Sequence, residues 1–159
     1  MPTATHIPIQ TYTISGSSTN SVSFNSISGY TDLVLTVGAK SNHSSGDGIM
    51  VRFNGDTSGN YSRTYIYGVG TGNGQGRASS ETSIQSTVMH NVWTNTVHHI
   101  ASYSGSTYKN VLLRNDSQTN AVVFTTGNWR NTNAITSITV SLVNSNYTAG
   151  STITLYGIN

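Results

Sequence analysis

The 159-residue chain has no cysteine, so disulfides, thiolate metal sites and a cysteine nucleophile are all excluded. Proline is nearly absent: Pro2 and Pro8 are the only two, and both lie in the first ten residues. An edge strand tolerates proline there, and no proline interrupts the rest of the chain. Charged residues make up 8% of the total, against about a quarter in an ordinary globular domain. Glu, Lys, Ala and Leu, which long soluble helices require, are scarce. The cations Lys40, Arg52, Arg63, Arg77, Lys109, Arg114 and Arg130 are strewn along the chain without a cluster. Nucleic-acid binding by counterion release needs several on one surface, so no nucleic-acid partner is expected. No stretch approaches the ~18 apolar residues of a membrane span, and no membrane insertion is expected. Residues 1–10 lack a basic segment followed by an apolar one, so synthesis in a cytoplasm without a secretory signal is the expectation.

Ser, Thr and Asn fill roughly two-fifths of the chain, a composition suited to strands with one wet face and many tight turns. Period-two alternation dominates. Leu33, Leu35, Val37 and Ala39 point one way, as do Ile49, Val51 and Phe53 in the next run. Ile7 and Ile9, Val22 and Phe24, Ile138 to Leu142, and Ile153 with Leu155 mark further strands, with weaker patterns over 84–88, 97–103, 108–114 and 121–126. The fold class is therefore all-β, a sandwich or barrel of about ten short antiparallel strands. Two units are delimited: residues 1–10 as an N-terminal arm carrying the first edge strand, and residues 11–159 as a single β-sandwich domain. Asn54-Gly55 opens a polar connection that predicts a hairpin between strands ending at Phe53 and starting at Tyr61. Residues 69–80 are Gly-rich without hydrophobic pattern and are expected to form one long surface loop.

Sites with recognisable chemistry are few. Gly68, Gly70, Gly72, Gly74 and Gly76 alternate, which matches neither a dinucleotide fingerprint nor a phosphate-binding loop with its Lys. Asp47 and Asp56 bracket the expected hairpin and could approach each other to hold calcium with loop carbonyls, or could cap backbone N–H groups. His98 and His99 are adjacent in a strand, so they face opposite ways and do not share a metal; His90 is too far along the chain to join either. No G-x-S-x-G elbow accompanies the abundant serines. No cofactor and no catalytic activity are expected. Tyr61, Tyr65 and Tyr67 share one strand face by parity. With Trp93 and Trp129 they offer aromatic surface of the kind found in protein interfaces and sugar platforms, or else they fill the core.

The segments TYTISGSSTNSVSFNSISG, YTDLVLTVGAKSN, GIMVRFNGDTSGNYSRTYIYG and GNWRNTNAITSITVSLVNSNYTAGSTITLYGIN occur in that order and cover most of the chain. Together they resemble small virion proteins of tailed bacteriophages, of the head-decoration and tail-fibre type. The resemblance implies a jelly-roll-type β-sandwich, a homo-oligomer with a trimer favoured, and a place on the virion surface. It carries over no catalytic motif.

Two roles follow from that resemblance. A head decoration protein would bind the assembled capsid through contacts with the major capsid protein or other virion proteins. A fibre or spike component would bind a host surface glycan or protein, and a free-standing carbohydrate-binding sandwich is a further alternative. Strand pattern begins almost at once at Ile7 and heptads are absent, which favours decoration over a fibre with an attachment segment. The contact candidates are Ile7 and Pro8 in the arm, Gly72, Asn73 and Arg77 in the Gly-rich segment, and Tyr61, Tyr65, Tyr67, Trp93 and Trp129.

Overall fold

The computed structural model describes residues 5–16, 18–89, 91–118 and 120–159. It contains β1 (His6–Thr13), β2 (Ser21–Phe24), β3 (Asp32–Ala39), β4 (Asp47–Phe53), β5 (Tyr61–Val69) and β6 (Gly72–Glu81). The chain continues through β7 (Ile84–Met89), β8 (Thr94–Ala101), β9 (Lys109–Ser117), β10 (Ala121–Trp129), β11 (Ile138–Leu142) and β12 (Thr152–Ile158). No helix among the described residues is long and apolar enough to cross a membrane.

The strands form two unequal antiparallel sheets. The larger has eight strands in the order β1-β12-β3-β8-β9-β10-β5-β6, and the smaller four in the order β2-β11-β4-β7. The result is a β-sandwich, as the alternation requires. Leu33, Leu35 and Val37 of β3 meet Ile49, Val51 and Phe53 of β4 and Ile138, Val140 and Leu142 of β11 in one buried cluster. Their neighbours in sequence face outward, so burying one parity is what selects the register of each strand. At one end of the core Trp129 stacks on Tyr61, ring centroids 6.3 Å apart, and lies 5.6 Å from Phe53. Lys109, one of the cations that composition alone would assign to the surface, is fully buried. Its Nζ donates to the carbonyls of Gly105 at 2.7 Å and Thr107 at 2.6 Å, and burial pushes the ammonium pKa down.

β1 is an edge strand, and a register shift between Pro8 and Gln10 absorbs the proline. It runs through residue 10 without a break as far as Thr13. Residues 1–4, with Pro2, lie outside the described residues, as does His90.

Two sequence expectations need correction. Residues 69–80 are not a long loop. β5 and β6 are a hairpin closed by Gly70 and Thr71, with Gly70 at φ 56° as a two-residue turn demands. β6 gave no periodic signal because neither of its faces is apolar; it extends the sheet by backbone pairing.

The second correction concerns Asn54-Gly55. Both residues take the positive φ expected of them, 52° and 67°, but they lead from one sheet to the other and make no hairpin. Phe53 ends a strand of the smaller sheet and Tyr61 begins one of the larger, and their rings face each other across the core with centroids 6.2 Å apart. The 144–150 connection also carries the chain between sheets, from β11 to β12.

Candidate interaction face

The smaller sheet covers one side of the larger. The other side is open, and its residues follow from the strand registers. One row across the strands reads Gln75, Ile66, Phe124, Arg114, Val97 and Thr36. The next reads Asn73, Gly68, Val122, Asp116, Asn95 and Gly38. On the other flank lie Arg77, Thr64, Thr126, Leu112 and His99. Ile66 and Leu112 are each 56% exposed, Phe124 48% and Val122 42%, although all four are large apolar residues in the middle of strands. Scattered single exposures need no explanation, but a contiguous apolar patch with a polar rim marks an interaction site.

A polar cleft adjoins the patch, lined by Arg77 of β6, Thr64 of β5, Thr126 and Asn128 of β10, Asn110 of β9, and Arg130. The Asn128 amide donates to Asn110 Oδ1 at 2.9 Å, and Arg130 donates to the Gly59 carbonyl at 2.5 Å. Three arginines line this cleft, Arg63 with Arg77 and Arg130, and no carboxylate does. Hydroxyls, amides and arginines suit an oxygen-rich, acidic ligand.

The residues singled out from sequence are divided by the fold. Asn73 and Arg77 are exposed on the open face, and Gly72 is exposed at the hairpin end of β6. Ile7 is half-buried and Pro8 exposed on the β1 edge. Trp93 is 40% exposed, with its ring lying near Gly150. Tyr65 and Tyr67 are partly accessible on the opposite side of β5. Their rings stack at 6.3 Å and lie over Gly76 and Gly74, where a side chain would collide with them.

Tyr61 and Trp129 correct the expectation of a contact surface. Both are fully buried, so neither can touch a partner or a glycan. Burial also pushes the Tyr61 phenol up to about 12.

The two candidate metal ligands do not meet. Asp47 and Asp56 lie at opposite ends of the seven-residue β4, which separates them by roughly 20 Å. Each is taken up by hydrogen bonds. Asp47 Oδ1 accepts from the backbone N–H of Gly48, Val143 and Asn144. Asp56 accepts from Ser58 N at 2.8 Å, Asn60 Nδ2 at 2.9 Å and Trp129 Nε1 at 2.8 Å.

Burial works against the Asp56 carboxylate, but these donors outweigh it and hold its pKa at about 2, below the ordinary 3.8. A depressed carboxyl stabilises the fold above its unfolded pKa, and that contribution is lost as pH falls through about 4 towards 2. Asp56→Asn is expected to cost about 1–2 kcal/mol at pH 7 and almost nothing at pH 2. Urea unfolding followed by Trp129 fluorescence at both pH values measures it. An equal cost at both would show that the carboxylate charge is not involved.

His98 and His99 face opposite ways as the strand parity requires. His98 is buried in the core, while His99 lies on the open face with Nε2 3.2 Å from Asp32 Oδ2. Among the described residues no group of three or more His, Asp and Glu side chains is placed to hold a metal ion.

Composition and period missed the apolar patch, yet a signal was present. Val111 to Leu113 and Ala121 to Phe124 are apolar at consecutive positions, as in strands covered on both faces. No protein-family model and no curated protein matches the sequence.

Proposed function

We propose that this chain is a non-enzymatic structural protein of the phage virion surface, a homo-oligomeric head decoration protein that acts by adhesion. The observation that carries the adhesive reading is the open outer face of the eight-stranded sheet, with Ile66, Leu112, Val122 and Phe124 exposed on one rigid surface. The phage assignment rests on the four sequence segments. Strand order supports the jelly-roll form that those segments imply. With the β9–β10 hairpin taken as an insertion and β1 and β12 as additions, β3-β8-β5-β6 lies opposite β2-β11-β4-β7. Two opposed four-stranded sets in this order are what a jelly roll, an architecture used by capsid and lectin domains, would require.

In this reading many copies bind only the assembled shell and stabilise it by mass action, with Ile7 and Pro8 on the exposed β1 edge reaching the capsid. Apolar contacts should make the association tolerant of salt. Co-sedimentation of the protein with undecorated capsids of the source phage is expected to saturate, and to change less than about threefold between low and high salt. Absence of co-sedimentation together with saturable binding to host envelopes would overturn decoration.

The Arg77–Arg130 cleft favours a second reading, a fibre or spike component that binds an acidic host glycan. A glycan array tests it, with binding lost in the Arg77→Ala/Arg130→Ala double variant.

A further inference from the structure

We propose that the open face of the large sheet is the contact between two copies of this chain, docked face to face about a twofold axis. The inference rests on reading that face as adhesive, and it names what covers it. Outward-facing Leu112, Val122 and Phe124 belong to strands whose apolar runs call for cover on both sides, and this chain supplies cover on only one.

The pattern of the face is complementary to itself. Phe124, Ile66 and Arg114 occupy one row, and Val122, Gly68 and Asp116 stand directly beside them in the next. A twofold axis running across the strands between these rows lays each row of one copy on the other row of its partner. Arg114 then meets Asp116 of the second copy, and Phe124 packs on Val122. Ile66 projects over Gly68, where there is no side chain to obstruct it. Among the described residues neither Arg114 nor Asp116 is engaged in an ion pair within its own chain. A twofold contact must be isologous, and a heterologous trimer would not use this self-matching arrangement.

Opposed sheets pack about 10 Å apart with nearly aligned strands, which antiparallel copies related by this axis provide.

Sedimentation equilibrium of the full chain provides the test. The unaltered protein is expected to be a dimer at micromolar concentration. Arg114→Asp makes the face acidic and Asp116→Arg makes it basic, so each variant alone should dimerise more than about tenfold more weakly. Mixing the two in equal amounts should restore a dimer, because each supplies the charge the other lacks.

Gly68→Val gives an independent variant. Its β-carbon would meet only Val122 Cγ1 at 3.8 Å within the chain, so the fold should melt as before while the dimer is lost. A monomer or a trimer of the unaltered protein would overturn the inference. So would single charge variants that still dimerise alone, or a mixture that stays monomeric. Capsid co-sedimentation of the unaltered protein reads the adhesive role separately: capsid binding by a protein that forms no dimer removes this inference alone, and a dimer that does not bind capsids removes only the decoration role.

Discussion

His98→Leu is expected to flatten the acid dependence of folding, with the variant more stable than the parent by about 3 kcal/mol at pH 4.5. His98 points into the core from β8, between Leu35 of β3 and Leu113 of β9, and is wholly inaccessible to solvent. Its Nε2 lies 3.2 Å from Thr96 Oγ1, and its Nδ1 has no hydrogen-bond partner. Burial alone pushes the imidazole pKa from 6.5 down to about 3. Between those values the unfolded chain takes up a proton that the folded one refuses. Stability is therefore complete above about 6.5 and falls by roughly 1.4 kcal/mol for each pH unit below, down to about 3. Leucine removes that slope. At pH 7 the exchange should be within about 1 kcal/mol, since the Thr96 contact is lost while an unpaired ring nitrogen leaves the core. Urea midpoints at pH 7 and 4.5 decide the matter, and parallel pH slopes for the two proteins would disprove it. The Asp56 contribution fades only below about pH 4, so at pH 4.5 the acid slope belongs to His98, and the two effects overlap only between about pH 4 and 3.

The strands that face the core on one side were legible because burying one parity leaves a period of two in the sequence. β3, β4 and β11 are of this kind, and their Leu, Ile and Val positions are the core residues of the fold. β6 was illegible for the converse reason. Its sequence GNGQGRASSE has no apolar face; a backbone ladder to β5 holds it, and the only trace in sequence is the alternation of Gly74 and Gly76 under the rings of Tyr67 and Tyr65. Turn chemistry was legible locally and misleading globally. Asn54 and Gly55 have the φ that their side chains favour, but whether a turn closes a hairpin or crosses between sheets depends on where Phe53 and Tyr61 are buried.

The functional face divides in the same way. Asn73 and Arg77 were chosen from sequence and do lie on the open face, but for a reason that the structure replaces: they belong to a strand and not to a loop. Tyr61 and Trp129 were chosen for aromaticity, which is equally the property of a core. Only the register shows that they close the end of the sandwich with Phe53. The exposed row through Phe124 depends on which of two apolar parities the second sheet covers. Sequence contains both parities and cannot rank them; the position of the four-stranded sheet does.

Asp47→Ala is expected to be strongly disruptive at neutral pH, costing on the order of 4 kcal/mol. Asp47 is 4% exposed at the start of β4 in the smaller sheet. One carboxylate oxygen accepts from Gly48 N at 2.8 Å, Asn144 N at 3.1 Å and Val143 N at 3.2 Å, and the other accepts from the Ser145 hydroxyl. Three of these donors begin the connection that carries the chain from β11 across to β12. β12 sits between β1 and β3, so a misplaced connection disturbs one whole end of the large sheet. Alanine leaves the Asn144 amide and the Ser145 hydroxyl, both in part-buried hydrogen bonds, without this acceptor, at about 1–3 kcal/mol for each. Val143 N retains the Gly48 carbonyl at 3.0 Å, which limits the damage at that residue. Asparagine keeps one acceptor oxygen for the backbone donors and can still meet the Ser145 hydroxyl through its amide, so Asp47→Asn should cost only about half as much. The ordering alanine well below asparagine, read from urea midpoints at pH 7, distinguishes a hydrogen-bond hub from a cation ligand. A calcium ligand would lose ion-induced stabilisation in both variants, and the parent protein would melt higher when calcium is added. A hub leaves the parent's melting temperature unmoved by calcium, because every oxygen on Asp47 that could face an ion is already turned towards the chain that it ties down.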